Sequence, residues 1–188
     1  LVSKNIVPGW KKTIYDPKKD ENQCTGDEFI NLISSDESDI NKKVKHMIKE
    51  NYEFYGYQQF SNRINKLVKI RLGNRSETLK EIVTREVIEE IFSDRLLIID
   101  EIHNIKVSGN KEDEKTGKNL LKLVKYTDNL KLLLLSATPM FNNVGEIKFI
   151  LDLMNLNDNK QEVPIEEVFD ATGNLKRNKD NDIDDIYS

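Results

Sequence analysis

The sequence contains almost no cysteine and no long apolar run. Its single cysteine, Cys24, excludes an intramolecular disulfide and a structural zinc site of several thiolates, so a reducing compartment is expected. No apolar run approaches the roughly 18 to 20 residues that cross a bilayer, and the first residues lack the pattern of a signal peptide. We therefore expect no membrane association and no secretion, and a location in the cytosol, the nucleus or a particle.

The sequence also lacks a phosphate-binding loop of the form GxxxxGKS or GxxxxGKT, whose backbone amides cradle nucleotide phosphates. The nearest candidate is Gly117 with Lys118, but Asn119 follows it and Glu112 stands where the first glycine is required. The chain opens with Leu1 rather than methionine, which suggests a fragment or a processed chain. A role in nucleotide hydrolysis would therefore need a phosphate-binding loop from outside these residues.

The overall composition is that of a globular domain. The 188 residues are enough for one domain with a core, and 33% charged against 37% hydrophobic residues predict long polar surface insertions. The net charge of -4 does not decide whether nucleic acid binds, because one face can differ in sign from the whole. Short apolar runs alternate with apolar residues at helical spacing, which is typical of an α/β domain.

Apolar periodicity predicts five helices, around residues 40–48, 60–68, 78–92 and 116–126 and from Asn143 onward. Thr78 and Glu81 have the spacing of a capping box at the third helix. The continuous apolar runs at 96–100 and 131–136 predict strands covered on both faces, as in the middle of a parallel sheet. The polar segment 108–117 is predicted to be a solvated insertion.

Two carboxylates directly follow the first predicted strand. Asp100 and Glu101 come after LLII, and His103 stands two residues further on. Ligands of open parallel sheets bind beyond the carboxyl ends of the strands, so a binding site is expected here. Adjacent carboxylates are costly to desolvate unless a cation compensates, and Mg²⁺ carrying a nucleotide phosphate would do so. The alternative is that Asp100 caps the next helix, Glu101 is solvated and His103 is a hydrogen-bonded structural residue.

A second motif, SATP, ends the next predicted strand with Ser136, Ala137 and Thr138. An apolar run ending in DEIH, followed about thirty residues later by one ending in SATP, resembles the Walker B box and third motif of superfamily 2 helicases and translocases, in the DExH form. Asn142 and Asn143, which follow, predict a turn and a helix cap. A zinc protease is a poor alternative, because the only other histidine, His46, lacks the required i, i+4 spacing.

Longer phrases narrow this resemblance. The opening LVSKNIVPGWKKTI looks like the segment after the Walker A helix in Swi/Snf-like translocases, where a strand ends and a tryptophan-containing helix follows. Four phrases resemble the helicase-like ATPases of large nucleocytoplasmic DNA viruses, a family that includes the poxvirus ATPases of early transcription and of transcription termination. They are ENYEFYGYQQFSNRI, LLIIDEIHNIK, LLKLVKYTDNLKLLLLSATPMFNN and EIKFILDLMNLND. The resemblance extends from Leu1 to about Asn174 and is specific in the two strand-end motifs.

The resemblance implies an α/β fold, namely a partial RecA-like lobe of the P-loop NTPase type with a parallel sheet flanked by helices. Residues 1–156 would form the first helicase ATP-binding lobe, without its P-loop strand and helix. Residues 157–188 would be a polar linker, partly disordered, toward a missing second lobe with its arginine finger. The chain alone is therefore expected to hydrolyse ATP negligibly.

The resemblance also implies cofactors, partners and residue roles. ATP and Mg²⁺ would bind, DNA or RNA would be the track, the transcription machinery would be a partner, and the protein would act in the virion or the host-cell cytoplasm. Asp100 would coordinate Mg²⁺, largely through water, and Glu101 would polarise the attacking water. His103 would sense the γ-phosphate and link to the third motif. Coupling of nucleotide state to movement would fall to Ser136, Ala137 and Thr138.

Basic residues concentrate between Lys42 and Arg75, where nine Lys or Arg stand against two acidic residues. Such residues contact phosphates without reading sequence, and the candidates are Lys66, Lys69 and Arg71. The aromatic residues interleaved from Tyr52 to Phe60 could stack on bases, but core packing is the favoured interpretation. The basic run has an equally good alternative as the solvated face of two helices.

Three functions are compatible with these patterns. The first is part of a nucleic-acid-dependent ATPase in viral transcription or genome handling. The second is a non-catalytic module, derived from such a lobe, that binds nucleic acid or protein. The third is a motor fragment of a restriction or repair translocase. Retention of Asp100, Glu101 and His103 favours the first, because a non-catalytic relic has no reason to keep two carboxylates in a costly position.

Overall fold

A computed structural model describes residues 1–16, 18–19, 37–105, 111–138, 144–170 and 176. The chain divides into two compact units, Leu1–Gly56 and Tyr57–Ser188. No helix of the described segments is long and apolar enough to cross a bilayer.

The first unit contains two helices, α1 (Val7–Ile14) and α2 (Glu37–Asn51), and a 3-10 turn at Lys4–Ile6. A proline in the first turn of α1 suits a helix start, because its fixed φ is helical and its missing N–H needs no partner there. Ile14 packs with Val44 and Ile48 in a small core. The helix α1 is the tryptophan-containing helix that the sequence predicted. The strand predicted before it is wrong, because Leu1–Ser3 form no strand.

The second unit contains a parallel pair of strands among helices. Its elements are α3 (Tyr57–Leu72), α4 (Lys80–Phe92), β1 (Leu96–Ile99), α5 (Lys111–Tyr126), β2 (Lys131–Leu134), α6 (Val144–Asn157) and α7 (Ile165–Val168), with 3-10 turns at Glu77–Leu79 and Ile102–Asn104. The strands pair from Leu96 with Lys131 to Ile99 with Leu134. Because parallel neighbours need a crossover, α5 supplies the connection. A small parallel sheet with helices confirms the predicted α/β class.

The core of the second unit is formed by the apolar stripes of its helices. The most completely buried large side chains come from four helices, β1 and the 3-10 turn that follows it: Ile64, Val83, Val87, Ile88, Ile99, Ile102, Leu120, Leu123 and Leu153. The rings of Phe60 and Phe92 meet edge to face at 5.4 Å between centroids, joining α3 to α4. Each large aliphatic side chain buried in this way stabilises the fold by about 1.5–3 kcal/mol.

The prediction that both strands are covered on both faces is wrong for the described part of the chain. Leu96 is 60% exposed and Leu133 is 43% exposed, whereas Ile99 is fully buried. The described sheet has two strands, so each has a neighbour on one side only. A continuous apolar run therefore indicated more burial than these strands have.

The predicted solvated insertion at 108–117 is wrong over its second half. The helix α5 begins at Lys111, earlier than predicted, and Thr116 and Gly117 are buried. Three acidic residues in its first turn favour a helix start through the helix dipole, although they gave the segment the composition of a loop. Residues 106–110 lie outside the described part of the chain.

The predicted capping box between Thr78 and Glu81 is not formed. The Ser76 hydroxyl accepts the N–H of Thr78 at 3.3 Å, and Glu81 instead accepts hydrogen bonds from Lys122 and Tyr126 of α5. The predicted cap at Asn142 and Asn143 falls outside the described residues, while the helix that it would start is present as α6.

The predicted boundary between the lobe and the linker, near residue 156, lies in the last turn of α6. Beyond it, Val163 is buried and donates its N–H to the Asp152 carboxylate at 2.7 Å. The first residues of the predicted linker therefore contact α6. Most residues after 170 lie outside the described part, and the division into a lobe and a linker stays a prediction.

Candidate functional site

The candidate site lies beyond the carboxyl ends of β1 and β2. The N–H of Leu135 donates to the Ile99 carbonyl at 2.9 Å, and the N–H of Ile102 donates to the Leu135 carbonyl at 3.0 Å. These bonds extend the parallel ladder past the two strands. They bring the segment that follows β1 against the segment that follows β2, which are the two segments singled out in the sequence.

Glu101 adopts a left-handed backbone conformation, with φ 52° and ψ 51°, at the start of the 3-10 turn Ile102–Asn104. Its carbonyl accepts the N–H of Asn104 at 2.9 Å, which closes that turn. A residue with a side chain in this region costs on the order of 1–3 kcal/mol, so surrounding contacts must hold it. The bend turns the chain sharply at the second carboxylate of the motif.

His103 connects the two motifs. Its Nδ1 lies 2.9 Å from Ser136 Oγ and 3.2 Å from Glu101 Oε2. The Ser136 hydroxyl oxygen also accepts the N–H of Thr138 at 3.1 Å. An ionised carboxylate can only accept a hydrogen bond, so the approach of Glu101 is attractive when Nδ1 carries a proton. We therefore assign the Nδ1–H form to His103 in this arrangement.

One oxygen of the Glu101 carboxylate is buried without a hydrogen bond. The side chain is 45% exposed as a whole, but Oε2 is buried and makes no hydrogen bond among the described residues, and its neighbour is the His103 Nδ1 at 3.2 Å. A buried carboxylate oxygen without a donor is costly unless a donor or cation occupies the position beside it. This oxygen is therefore available to a bound water or ion.

The carboxylates fit a magnesium ion shared with a substrate. No group of three or more metal-binding side chains exists in the described segments. Mg²⁺ does not need such a cage in nucleotide sites, where one or two carboxylates, phosphate oxygens and waters complete the octahedron. Asp100, half-buried beside Glu101, supplies a second carboxylate at the strand end.

Tyr57, at the start of α3, holds the main chain of the first motif. Its hydroxyl donates to the Asp100 carbonyl at 2.6 Å across 43 residues of sequence. Burial raises the pKa of Tyr57, the neighbouring Asp100 and Glu101 charges raise it further, and a hydrogen bond with Asn104 opposes them. The phenol therefore keeps its proton and remains a donor. Sequence reasoning missed this residue, because it was one of several aromatics with no motif around it.

Within the third motif, Ser136 is the residue whose side chain contacts the first motif. Ala137 and Thr138 are exposed, and Thr138 contacts Ser136 through its backbone N–H. The structure thus brings Glu101, His103 and Ser136 into direct contact. The roles that the resemblance implies for these residues stay predictions.

The predicted nucleic-acid residues do not form one cluster. Lys66, Lys69 and Arg71 are all exposed on α3, and the Arg71 guanidinium donates to the Glu90 carboxylate of α4 at 2.7 Å. Side chains two positions apart on a helix do not face each other, so Lys69 and Arg71 point in different directions. The longer basic run from Lys42 to Arg75 is divided between the two compact units.

The aromatic residues of this region are packed as the core interpretation predicted. Tyr52 and Phe54 pack against the core of the first unit, and Phe60 is 2% exposed against Phe92. The Phe60 ring is therefore enclosed in the core, and Tyr52 and Phe54 use part of their surface for packing.

Comparison with known proteins finds viral relatives. A protein of Acanthamoeba polyphaga mimivirus, named as an ATP-dependent RNA helicase, is 29% identical over 151 residues, which are 70% of this chain and 13% of that protein. Nucleoside triphosphatase I of Melanoplus sanguinipes entomopoxvirus is 35% identical over 97 residues, 46% of this chain and 15% of that protein. A protein of Invertebrate iridescent virus 3, named as a helicase, is 26% identical over 135 residues, 72% of this chain and 12% of that protein.

The chain thus spans between 12% and 15% of the length of these three relatives. No family model matches the chain, and no solved structure matches it. The relatives nevertheless confirm the resemblance predicted from the DEIH and SATP motifs. The chain is therefore similar in sequence to parts of viral proteins that are named as helicases and nucleoside triphosphatases.

Proposed function

We propose that the chain is part of a nucleic-acid-dependent ATPase, a DExH helicase or translocase that acts in viral transcription or genome handling. The observation that carries the proposal is the contact of His103 with both Glu101 and Ser136, at 3.2 and 2.9 Å. This contact joins the carboxylate motif to the motif that ends the neighbouring strand. A change at the carboxylates can therefore reach the second motif through one side chain.

The carboxylates take separate roles in this proposal. Asp100 holds Mg²⁺, largely through water, and bound Mg²⁺ neutralises charge on the phosphate oxygens of ATP. Glu101 orients the attacking water and accepts its proton, for which its unsatisfied buried Oε2 is suited. His103 senses the γ-phosphate and links the carboxylates to the third motif through its contacts with Glu101 and Ser136. Tyr57 is a positioning residue, because its bond is to the Asp100 carbonyl rather than to a reacting group.

The rest of the motor is proposed to lie in a longer protein. Its phosphate-binding loop, second lobe and arginine finger would come from outside these 188 residues. The RecA-like character of the lobe, DNA or RNA as the track and the transcription machinery as a partner belong to the same proposal. The relatives support it through their names, which include RNA helicase and nucleoside triphosphatase.

The test is made on the complete gene product that contains this chain. Glu101→Gln should lower Mg²⁺-dependent ATP turnover by about 100-fold or more, because the base that accepts the water's proton is lost. Nucleotide binding should persist, since the side chain keeps its size. Glu112→Gln is the matched control, because Glu112 is exposed on α5 and outside the site. Turnover in Glu101→Gln equal to that of the control would overturn the assigned role.

A further inference from the structure

A groove rich in lysine lies among α3, α4 and α5, and its lining does not include Glu101, His103 or Ser136. Its volume is ≈ 890 Å³, and six lysines line it against two glutamates, in a chain whose net charge is -4. The lysines are Lys69, Lys80, Lys111, Lys115, Lys118 and Lys122, and we call this feature the lysine groove. All of them belong to the second compact unit.

Four of these lysines form a stripe along α5. Lys111, Lys115, Lys118 and Lys122 recur at spacings of four, three and four residues, which places them on one side of a helix. At a rise of about 1.5 Å per residue, the stripe is about 16 Å long. The opposite side of α5 is the apolar one, with Leu120, Leu123 and Val124 buried in the core. The lysine stripe is therefore a fixed feature of the helix surface.

The large aliphatic side chains at the floor of the groove are buried. Ile64, Val68 and Leu72 are only 1%, 5% and 9% exposed, so they cannot supply the open apolar surface that an amphipathic peptide would bury. The polar floor residue Asn119 already donates to Ser61 at 2.8 Å, and the Thr84 hydroxyl donates to the Lys80 carbonyl at 2.7 Å. The lysine ammonium groups of the rim are therefore the hydrogen-bond donors that the groove presents to a ligand.

Four of the rim lysines make contacts that are individually weak. Lys118 pairs with Glu114 at 2.6 Å, and Lys80 and Lys122 pair with Glu77 and Glu81, all on exposed side chains. Exposed pairs of this kind are worth about 0–1 kcal/mol, so a multivalent anion can replace them at little cost. Lys115 contacts the neutral Asn62 side chain at 3.2 Å.

We propose that the lysine groove binds the sugar-phosphate backbone of a nucleic acid strand. Four lysines spread over about 16 Å can contact several consecutive phosphates of one strand. Lysine binds phosphate as a mobile point charge without reading bases, as a motor that moves along its track requires. The inference rests on the nucleic-acid part of the proposed function and names the surface that carries it.

The test measures binding of a fluorescein-labelled 20-nucleotide oligo(dT) to the chain by fluorescence anisotropy, over a range of salt concentrations and without ATP. The variant replaces Lys69, Lys115 and Lys118 by Gln. Each lost phosphate contact lowers the slope of log K against log salt by about 0.7 for a single strand, so the slope should become shallower by about 2. Affinity at low salt should fall about tenfold or more. The same three positions changed to Arg should restore binding.

A control variant replaces Lys131, Lys160 and Lys176 by Gln, since these lysines are exposed outside the groove and their loss changes the net charge equally. An equal loss of affinity in both variants would overturn the proposal that the lysine groove binds nucleic acid. Absence of binding by the unmodified chain would overturn it as well. Tighter binding of a poly-glutamate 20-mer than of the oligonucleotide would assign the groove to an acidic protein instead. Because no step needs hydrolysis, a failure of the proposed ATPase leaves this measurement interpretable.

Discussion

The His103 Nδ1 lies 2.9 Å from the Ser136 Oγ, although the two residues are 33 positions apart in the sequence. The same ring atom approaches Glu101 Oε2 at 3.2 Å. One imidazole therefore touches both strand-end motifs, and its proton position reports on both.

Ser136→Ala should change the state of His103 and lower stability slightly. The variant removes one partner of the half-buried Nδ1 and leaves Glu101, so we expect a shift of the His103 Nδ1 resonance in a ¹⁵N–¹H spectrum. The free energy of unfolding should fall by about 1 kcal/mol. Thr138→Ala is the control, because Thr138 contacts Ser136 through its backbone. An unchanged Nδ1 resonance in Ser136→Ala would show that the contact is absent in solution.

Tyr57→Phe should loosen the turn that follows β1. The variant deletes the hydroxyl that donates to the Asp100 carbonyl, and we expect faster amide hydrogen exchange at Ile102 and Asn104 and a loss of about 1 kcal/mol. Tyr126→Phe is the comparison, since that hydroxyl binds Glu81 away from the turn. Equal exchange rates in Tyr57→Phe and the unmodified chain would refute the positioning role.

The raised pKa of Tyr57 also predicts a pH dependence. Because burial favours the neutral phenol in the folded state, the stabilisation is fully present below the ordinary pKa of 10.0 and is lost as pH rises through the higher folded value. Urea unfolding between pH 9 and pH 11 should show a steeper loss in the unmodified chain than in Tyr57→Phe. Parallel curves would contradict the assignment of this loss to Tyr57.

Glu81 links α4 to α5 and should contribute stability at neutral pH. Hydrogen bonds from Lys122 and Tyr126 lower the pKa of Glu81, so this stability is present above its ordinary value of 4.5 and is lost as pH falls through the lower folded value. Since the side chain is 55% exposed, Glu81→Gln should cost less than about 1 kcal/mol at pH 7. In urea unfolding, the difference in the free energy of unfolding between pH 7 and pH 3 should be smaller in the variant than in the unmodified chain. If the stability difference between pH 7 and pH 3 were the same in Glu81→Gln and in the unmodified chain, Glu81 would not stabilise the contact between α4 and α5.

Asp152 should be the most sensitive polar position of α6. It is 3% exposed, accepts the Val163 N–H at 2.7 Å and pairs with Lys148. Asp152→Ala leaves these donors without a partner and should cost about 2–4 kcal/mol in thermal or urea unfolding. Asp158→Ala, at an exposed pair 3.5 Å from Lys160, should cost less than about 1 kcal/mol. Similar costs at both positions would show that Asp152 is not a buried anchor.

The helices and strands with a clear pattern of apolar residues were predicted from the sequence. The stripe of Ile64 and Val68 predicted α3, and the two apolar runs predicted β1 and β2. A binding site beside Asp100 and Glu101 was predicted from their place at a strand end, whereas the link of His103 to the third motif was implied only by the resemblance. These features depend on local patterning and on a simple rule of topology.

Other features depend on contacts that no local pattern encodes. The bond from Tyr57 to the Asp100 carbonyl joins distant segments, and the left-handed backbone of Glu101 occurs at a residue type that rarely adopts it. The early start of α5 was hidden because its charged first turns resemble a loop. The lysine stripe of that helix became visible only when the helical register of Lys111 was known.

ATP hydrolysis by the complete gene product, measured with Mg²⁺ in the presence and absence of nucleic acid, is the decisive test of the proposed function. We expect Mg²⁺-dependent hydrolysis that nucleic acid stimulates, together with negligible hydrolysis by the 188-residue chain alone. A complete protein that binds nucleic acid but hydrolyses no ATP under any of these conditions would refute the proposed ATPase and would identify a binding module instead.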